Sequence, residues 1–336
     1  MKICVVGAGA IGGYMAVRLA RAGHDVSVIA RGPHLAAIQA RGLKLVEDDQ
    51  ELIADNLTAT DRIRDLGAQD VVLLALKAHQ IGPVVRDLPT LFGPDTVMVT
   101  LQNGIPWWYF QKLGGPYADR VVETVDPGGV LFKSIDPERL LGCIAYPAAT
   151  IAEPGVVRHI EGNRFPIGEL DGSDSERAQK VFAAFAEAGF KSRVLDDVRS
   201  EIWLKLWGNL TFNPISALTH STLVDICQFP LTRALAATMM TEAQTIGERL
   251  GARFRVPMER RISGAESVGK HKTSMLQDVE AGKPLEIDGM LGVVVELAEM
   301  TGVEVPTLRA LYACVSLLDK TIREEGIRVK GSPRND

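Results

Sequence analysis

Four cysteines are all that this 336-residue chain contains, and Cys4, Cys143, Cys227 and Cys314 stand far apart. No two have the spacing of a zinc or redox motif, so they read as reduced packing residues. Histidine is also sparse: six residues, scattered, with no HExxH or comparable cluster, which argues against metal catalysis. Basic residues form no dense run and the net charge is −5, so a nucleic-acid partner lacks its electrostatic footprint. No uninterrupted apolar run reaches the roughly 18 residues of a membrane span. No signal peptide is expected either, because the strand-like run Lys2, Ile3, Cys4, Val5, Val6 begins at once. What is present, 46% hydrophobic and 24% charged residues, is the composition of a globular protein. The cytoplasm is the expected compartment, and the length suits two domains.

Glycine, by contrast, is concentrated where it carries information. The apolar run at residues 3–6 meets Gly7, Ala8, Gly9, Ala10, Ile11 and Gly12. A helical pattern follows over 11–22, Gly23 stands where a left-handed stop is expected, and a second strand pattern covers 26–30. Strand, GxGxxG, helix, strand is the dinucleotide-binding arrangement. Gly7 permits the tight turn, Gly9 lets a pyrophosphate approach the backbone, and Gly12 lets the helix sit close to the strand. The helix start then offers N–H groups and a positive dipole end to the phosphates. After the second strand, NAD-binding versions carry a carboxylate for the ribose hydroxyls. Here the residues are Ala30, Arg31 and Gly32. Arg31 suits a 2′-phosphate, so NADPH is the expected cofactor.

Short apolar runs at 71–76 and 97–101 read as further parallel strands buried on both faces. Lys77 and Asn103 lie just past their ends, where such sheets bind ligands. Strand-like runs near 140–146, 156–159 and 165–167 suggest a second sheet region. A helix is expected over 175–188 and a last strand over 191–194. Beyond Asp197 the pattern turns helical, over roughly 198–213, 230–250, 256–281, 284–301 and 306–324. The first of these should bend or stop at Pro214. The polar end, 330–336, is expected to be disordered. The fold class is thus α/β plus all-α. An N-terminal Rossmann-type doubly wound sheet (1–196) precedes a C-terminal all-helical domain (197–329), with the active site expected in a cleft between them.

One stretch of the helical half is chemically odd. EIWLKLWGNLTFNP (residues 201–214) carries Lys205, Asn209 and Asn213 at i, i+4, i+8, one helix face, while Trp203, Trp207 and Leu210 fall opposite. A helix apolar nearly all round is usually buried, and buried polar groups need partners. The bland alternative is a surface Glu201–Lys205 pair, but it leaves the two asparagines unexplained.

These blocks together resemble the ketopantoate reductases (2-dehydropantoate 2-reductases), over nearly the whole chain. The resemblance rests on Gly7 to Gly12, on Ala30-Arg31-Gly32, and on LKAHQ, LQNGI, KLWGNLTFNPISAL and SMLQDVEAGKPLEID. It implies a Rossmann domain joined to a helical domain, with NADPH and a 2-keto acid as ligands and pantoate, for coenzyme A, as product. It also implies Lys205 as catalytic proton donor with Glu286 orienting it or a substrate hydroxyl. Asn103, Asn209 and Asn213 would hold the substrate's oxygens, Ser274 its carboxylate, and Lys77 and Asn103 would line the cofactor side. On that reading the polar stripe is satisfied by ligand, and burial should lower the pKa of Lys205 toward the working pH.

The match departs at two places. About ten residues past Asn213, relatives carry a small polar pair such as Asn-Gly, where this chain has His220, Ser221, Thr222, Leu223 and Val224. One polar substrate contact of the family has no evident counterpart there. Past Gly104, relatives have a more polar helix, where this chain has Ile105, Pro106, Trp107, Trp108, Tyr109 and Phe110. These aromatics would either wall a pocket for a bulkier 2-keto acid or pack a domain or homodimer interface. The alternatives to a ketopantoate reductase are a reductase of a bulkier keto acid, one of the wider hydroxyacid or opine type, and an NADPH sensor without catalysis. Retention of Lys205 and Glu286 favours an enzyme.

Overall fold

The computed structural model describes residues 1–326; the tail expected to be disordered, 330–336, lies outside the described residues. The chain forms two compact units, Met1–Val121 with Gly128–Val198, and Val122–Pro127 with the chain from Arg199 on.

The first unit begins β1 (Lys2–Val6), α1 (Ala10–Arg21), β2 (Asp25–Ile29), α2 (Gly32–Arg41), β3 (Leu43–Glu47), β4 (Gln50–Ala54), β5 (Thr58–Thr60), β6 (Gln69–Leu74) and β7 (Phe92–Thr100). It continues with α3 (Val130–Ser134), β8 (Leu140–Cys143), β9 (Ala148–Glu153), β10 (Val156–Glu161), β11 (Ile167–Glu169) and α4 (Glu176–Glu187). Seven strands form one sheet in the order β11-β8-β7-β6-β1-β2-β5. Every neighbouring pair is parallel except β8 with β11. The order therefore reverses between β1 and β6, the switch point at which doubly wound sheets bind ligands. The core strands are apolar on both faces: Val5, Val28, Val72, Leu73, Leu74 and Val99 are fully buried, as expected of a parallel sheet covered on both sides.

Helix α1 is buried on more than one side for a specific reason. It packs on β1 and β2 and also on a smaller sheet, β4-β3-β10-β9. Tyr14, Met15, Ala16, Val17 and Leu19 are consequently sealed. A small polar knot ties this contact. Glu47 of β3 pairs with Arg18 at 2.6 Å and with His159 at 3.2 Å, and the Tyr14 ring stacks on His159 with centroids 4.7 Å apart. Burial, and then the nearby Glu47 charge, push the Tyr14 phenol up to about 12.

Several sequence expectations are corrected here. The strand-like runs after residue 140 do not share one sheet: β8 and β11 join the large sheet, and β10 joins the small one. Residues 191–194 make isolated bridges, Arg164 with Lys191 and Ile167 with Val194, rather than a strand. The small sheet draws two strands from residues 43–54, a charge-rich hairpin that the hydrophobic pattern did not reveal. Cys314 is exposed, unlike the buried Cys4, Cys143 and Cys227, so it is not a packing residue. Trp107, Trp108, Tyr109 and Phe110 are at most 2% exposed. Such residues offer no surface to a second copy and hardly any to a pocket. Trp108 packs on Gly142, where an added Cβ would lie 2.8 Å from the ring, and its indole N–H donates to Thr100 Oγ1 at 2.9 Å.

The second unit is helical: α5 (Val198–Thr219), α6 (Leu223–Gln228), α7 (Pro230–Arg249), α8 (Met258–Ser267), α9 (Ser274–Ala281), α10 (Val293–Thr301) and α11 (Pro306–Glu325). Helix α5 does not stop at Pro214 but continues to Thr219. An interior proline costs about 3 kcal/mol. Burial of Trp203, Trp207, Leu210, Ile215 and Ala217, none more than 1% exposed, offsets that cost. The helix expected over 256–281 is two helices. Gly269 (φ +80°) breaks the pattern, and Thr273 starts α9 by accepting the Leu276 N–H at 3.3 Å. The helix expected over 284–301 begins late. It starts with a π-turn, Asp288–Gly292, in which the Gly292 N–H reaches back five residues to the Ile287 carbonyl at 3.3 Å.

Candidate functional site

In the first unit the glycine loop leaves β1 at the switch point. Gly7 has φ +107°, and a Cβ there would lie 2.8 Å from Leu76 Cδ2. A Cβ at Gly12 would fall 2.0 Å from the Gly7 carbonyl oxygen and 2.9 Å from Ala75 Cβ. Both positions therefore exclude a side chain because the loop is pressed on the end of β6. Gly9 differs. Nothing lies within 4 Å of its Cβ position, so its lack of a side chain leaves an open cradle at the start of α1. That helix has no acidic residue in its first turn and no side-chain cap. Free N–H groups and the positive dipole end thus remain for an anion. A pyrophosphate fits this loop.

Arg31 follows β2 by two residues, precedes α2 and is exposed. Its guanidinium makes no hydrogen bond or ion pair among the described residues, so it can close on a phosphate without breaking an existing contact. Lys77, half-buried, comes three residues after β6 and opens a short turn in which its N–H donates to Gln80 Oε1 at 3.2 Å. Asn103 is exposed three residues after β7, followed by Gly104 at φ +84°. Gln102, which the sequence reading passed over, ties the two strand ends together. Its amide N donates to the carbonyls of Leu74 at 2.8 Å and Leu76 at 3.0 Å.

In the second unit α5 carries the polar stripe. Lys205 and Asn209 are half-buried and Asn213 is 6% exposed. The opposite face is held rigidly. Trp207 Nε1 donates to the Met240 carbonyl at 2.8 Å, and Phe254 meets the Trp207 ring edge-on at 4.8 Å. Asn213 Nδ2 donates to Met290 Sδ at 3.8 Å, which brings the stripe against the π-turn. Glu286 stands just before that turn in an irregular segment, half-buried between the buried Leu285 and Ile287. The Leu285 N–H is anchored on Asp319 Oδ1 at 2.7 Å. Within the turn, the Tyr312 hydroxyl donates to Asp288 at 3.0 Å. Burial first, and the Asp288 charge second, raise the tyrosine's pKa. Ser274 is exposed at the first position of α9.

One further cation stands beside the stripe. A Cβ at Gly208 would lie 2.1 Å from Arg261 Nη2, so the guanidinium occupies the side-chain space of the residue between Trp207 and Asn209. Spacing along α5 could not reveal it, because Arg261 comes from α8.

The chain matches the description "Ketopantoate reductase PanE/ApbA" over residues 3–172 and "Ketopantoate reductase PanE/ApbA C terminal" over residues 197–319. It is 52% identical to a 2-dehydropantoate 2-reductase of Mesorhizobium japonicum, covering 95% of this chain and 98% of that protein. A crystal structure from Ralstonia solanacearum MolK2 is 38% identical with TM-score 0.91, covering 95% of this chain and 98% of the other. That of the PanE/ApbA family ketopantoate reductase from Ralstonia eutropha JMP134 is 27% identical with TM-score 0.82, covering 96% and 100%.

The glycines separate structure from binding. Gly12→Ala should destabilise the fold by about 1–3 kcal/mol, because the clash is with backbone. Gly9→Ala should stay within about 1 kcal/mol of the parent yet bind a dinucleotide roughly tenfold more weakly, the equivalent of one displaced hydrogen bond. Thermal unfolding and dinucleotide titration of both variants check this; a Gly9→Ala protein that binds normally would remove the loop from the site.

Proposed function

The chain belongs to the ketopantoate reductase family, and from that premise we propose that it reduces 2-dehydropantoate to (R)-pantoate with NADPH. The observation that carries this reading is the row Lys205, Asn209 and Asn213, half-buried to buried on a helix whose other faces are sealed by apolar residues. The row sets a cation and two amides along one helix face, and the three oxygens of a 2-keto acid match such groups in charge and hydrogen bonding.

The bound cofactor supplies the hydride that reaches the ketone carbon. As negative charge develops on the carbonyl oxygen, Lys205 stabilises it and donates the proton that completes the hydroxyl. Asn209, Asn213 and Asn103 donate hydrogen bonds that fix the substrate's oxygens. Ser274 binds its carboxylate, and Glu286 orients the Lys205 ammonium or the substrate hydroxyl. Gly7 to Gly12 hold the pyrophosphate, Lys77 lines the cofactor side, and Arg31 takes the 2′-phosphate. The exposed, unpartnered state of Arg31 supports NADPH over NADH. Burial of Trp107 to Phe110 favours a packing role for these rings over a pocket wall for a bulkier acid.

Rates with NADPH and with NADH over a panel of 2-keto acids test the proposal. Ketopantoate with NADPH should give the highest kcat/KM. Arg31→Ala should raise the KM for NADPH alone, by roughly 10- to 150-fold, the equivalent of about 1.5–3 kcal/mol of charge-assisted bonding. Equal losses with both cofactors would contradict the 2′-phosphate assignment, and binding without turnover of any acid would favour a sensor.

Lys205→Ala should lower kcat roughly 100- to 10,000-fold, the span of a lost general acid, with dinucleotide affinity retained. Near-normal turnover would remove Lys205 from the mechanism.

A further inference from the structure

We propose that His34 is a positioning residue that aims the glycine loop at the dinucleotide's pyrophosphate, an inference that rests on the loop being the dinucleotide site. His34 lies in the first turn of α2, half-buried, and its ring bridges two backbones. The Gly155 N–H meets Nδ1 at 3.0 Å. A backbone N–H can only donate, so Nδ1 is the acceptor and the ring proton sits on Nε2. Nε2 lies 2.8 Å from the Ala8 carbonyl oxygen and therefore donates to it. Neither end of this bridge is loose. Gly155 (φ +80°) would place a Cβ 2.9 Å from Ala37 Cβ of α2, and its carbonyl accepts the Lys44 N–H of β3 at 2.9 Å. Ala8 is held from the other side by its own N–H, which donates to the Ile29 carbonyl at 2.9 Å.

The consequence falls on the next peptide group. In a trans peptide the carbonyl and the following N–H point in opposite directions, and none of the bonds is cis. Drawing the Ala8 carbonyl toward His34 turns the Gly9 N–H away from it. No acceptor among the described residues takes that N–H, and Gly9 is the residue whose Cβ position is open. His34 thereby performs two tasks. It presents a backbone donor to an anion, and it keeps a carbonyl oxygen, which would repel that anion, turned elsewhere.

Two substitutions divide the bridge. The amide nitrogen of Gln occupies the place of Nε2 and can still donate to Ala8. The oxygen of Asn occupies the place of Nδ1 and can accept only from Gly155. Dissociation constants for NADPH and NADH, read by nicotinamide fluorescence, are compared for the parent, His34→Gln and His34→Asn, with a thermal unfolding curve for each. His34→Asn should weaken both dinucleotides equally, by roughly fivefold to tenfold, since the pyrophosphate is common to them. His34→Gln should stay within about twofold of the parent. The proposal is overturned if His34→Asn binds normally, if His34→Gln binds as weakly as His34→Asn, or if the affinity losses merely follow the unfolding temperatures. A parent protein that binds neither dinucleotide would overturn the loop assignment itself, and His34's role with it.

Discussion

A polar side chain on a helix enclosed by apolar neighbours must find a partner or destabilise the fold. Helix α5 is built around that constraint. Trp203, Trp207 and Leu210 are fully buried, and Trp207 is fixed by a hydrogen bond to α7. The helix is therefore fixed in rotation, with Asn213 buried and Lys205 and Asn209 half-buried. Met290, from the π-turn, is a weak acceptor for one of them. A π-turn stores an irregular backbone that regular helices avoid and is found often at functional sites. Here it adjoins Glu286. A keto acid, rich in acceptors and carrying negative charge, is the chemistry that this row of donors suits.

The same reasoning applies to backbone groups in the first unit. Gly7 and Gly12 exist because strand and helix are too close for side chains, whereas Gly9 exists because space is left. Three glycines in one short motif thus have different physical causes. Arg31, exposed and without a partner among the described residues, stands at the end of β2 as the only charge that the motif contributes there.

How much of this was legible in the sequence varied with the range of the interaction. The β1–α1–β2 unit was readable because its signals are local: an apolar run, a glycine motif, a helix stopped by Gly23. The row on α5 was readable because helical spacing is local too. Gly269 and Thr273 were also local signals, and a longer hydrophobic period hid them. The hairpin over residues 43–54 was not readable, since its strands, LKLVE and QELIA, lack a clean apolar alternation and are held by α1 and by β10 from far along the chain. Arg261 over Gly208 and His34 between Ala8 and Gly155 are contacts across 53, 26 and 121 residues, beyond any periodicity. At Pro214 local propensity favours a bend or a stop, and of the two the stop is overridden by tertiary burial. The aromatic run after Gly104 misled for a similar reason. It suggested a pocket wall or a domain or homodimer interface, yet its side chains are buried.

The central claim is that the Lys205 ammonium meets the reducible carbonyl. A crystal structure with dinucleotide and keto acid both bound tests it most directly. The account predicts Lys205 Nζ about 2.7–3.2 Å from the keto oxygen, with the Asn209 and Asn213 amides also turned to the substrate. A substrate seated elsewhere, with that nitrogen directed away from it, would contradict the account.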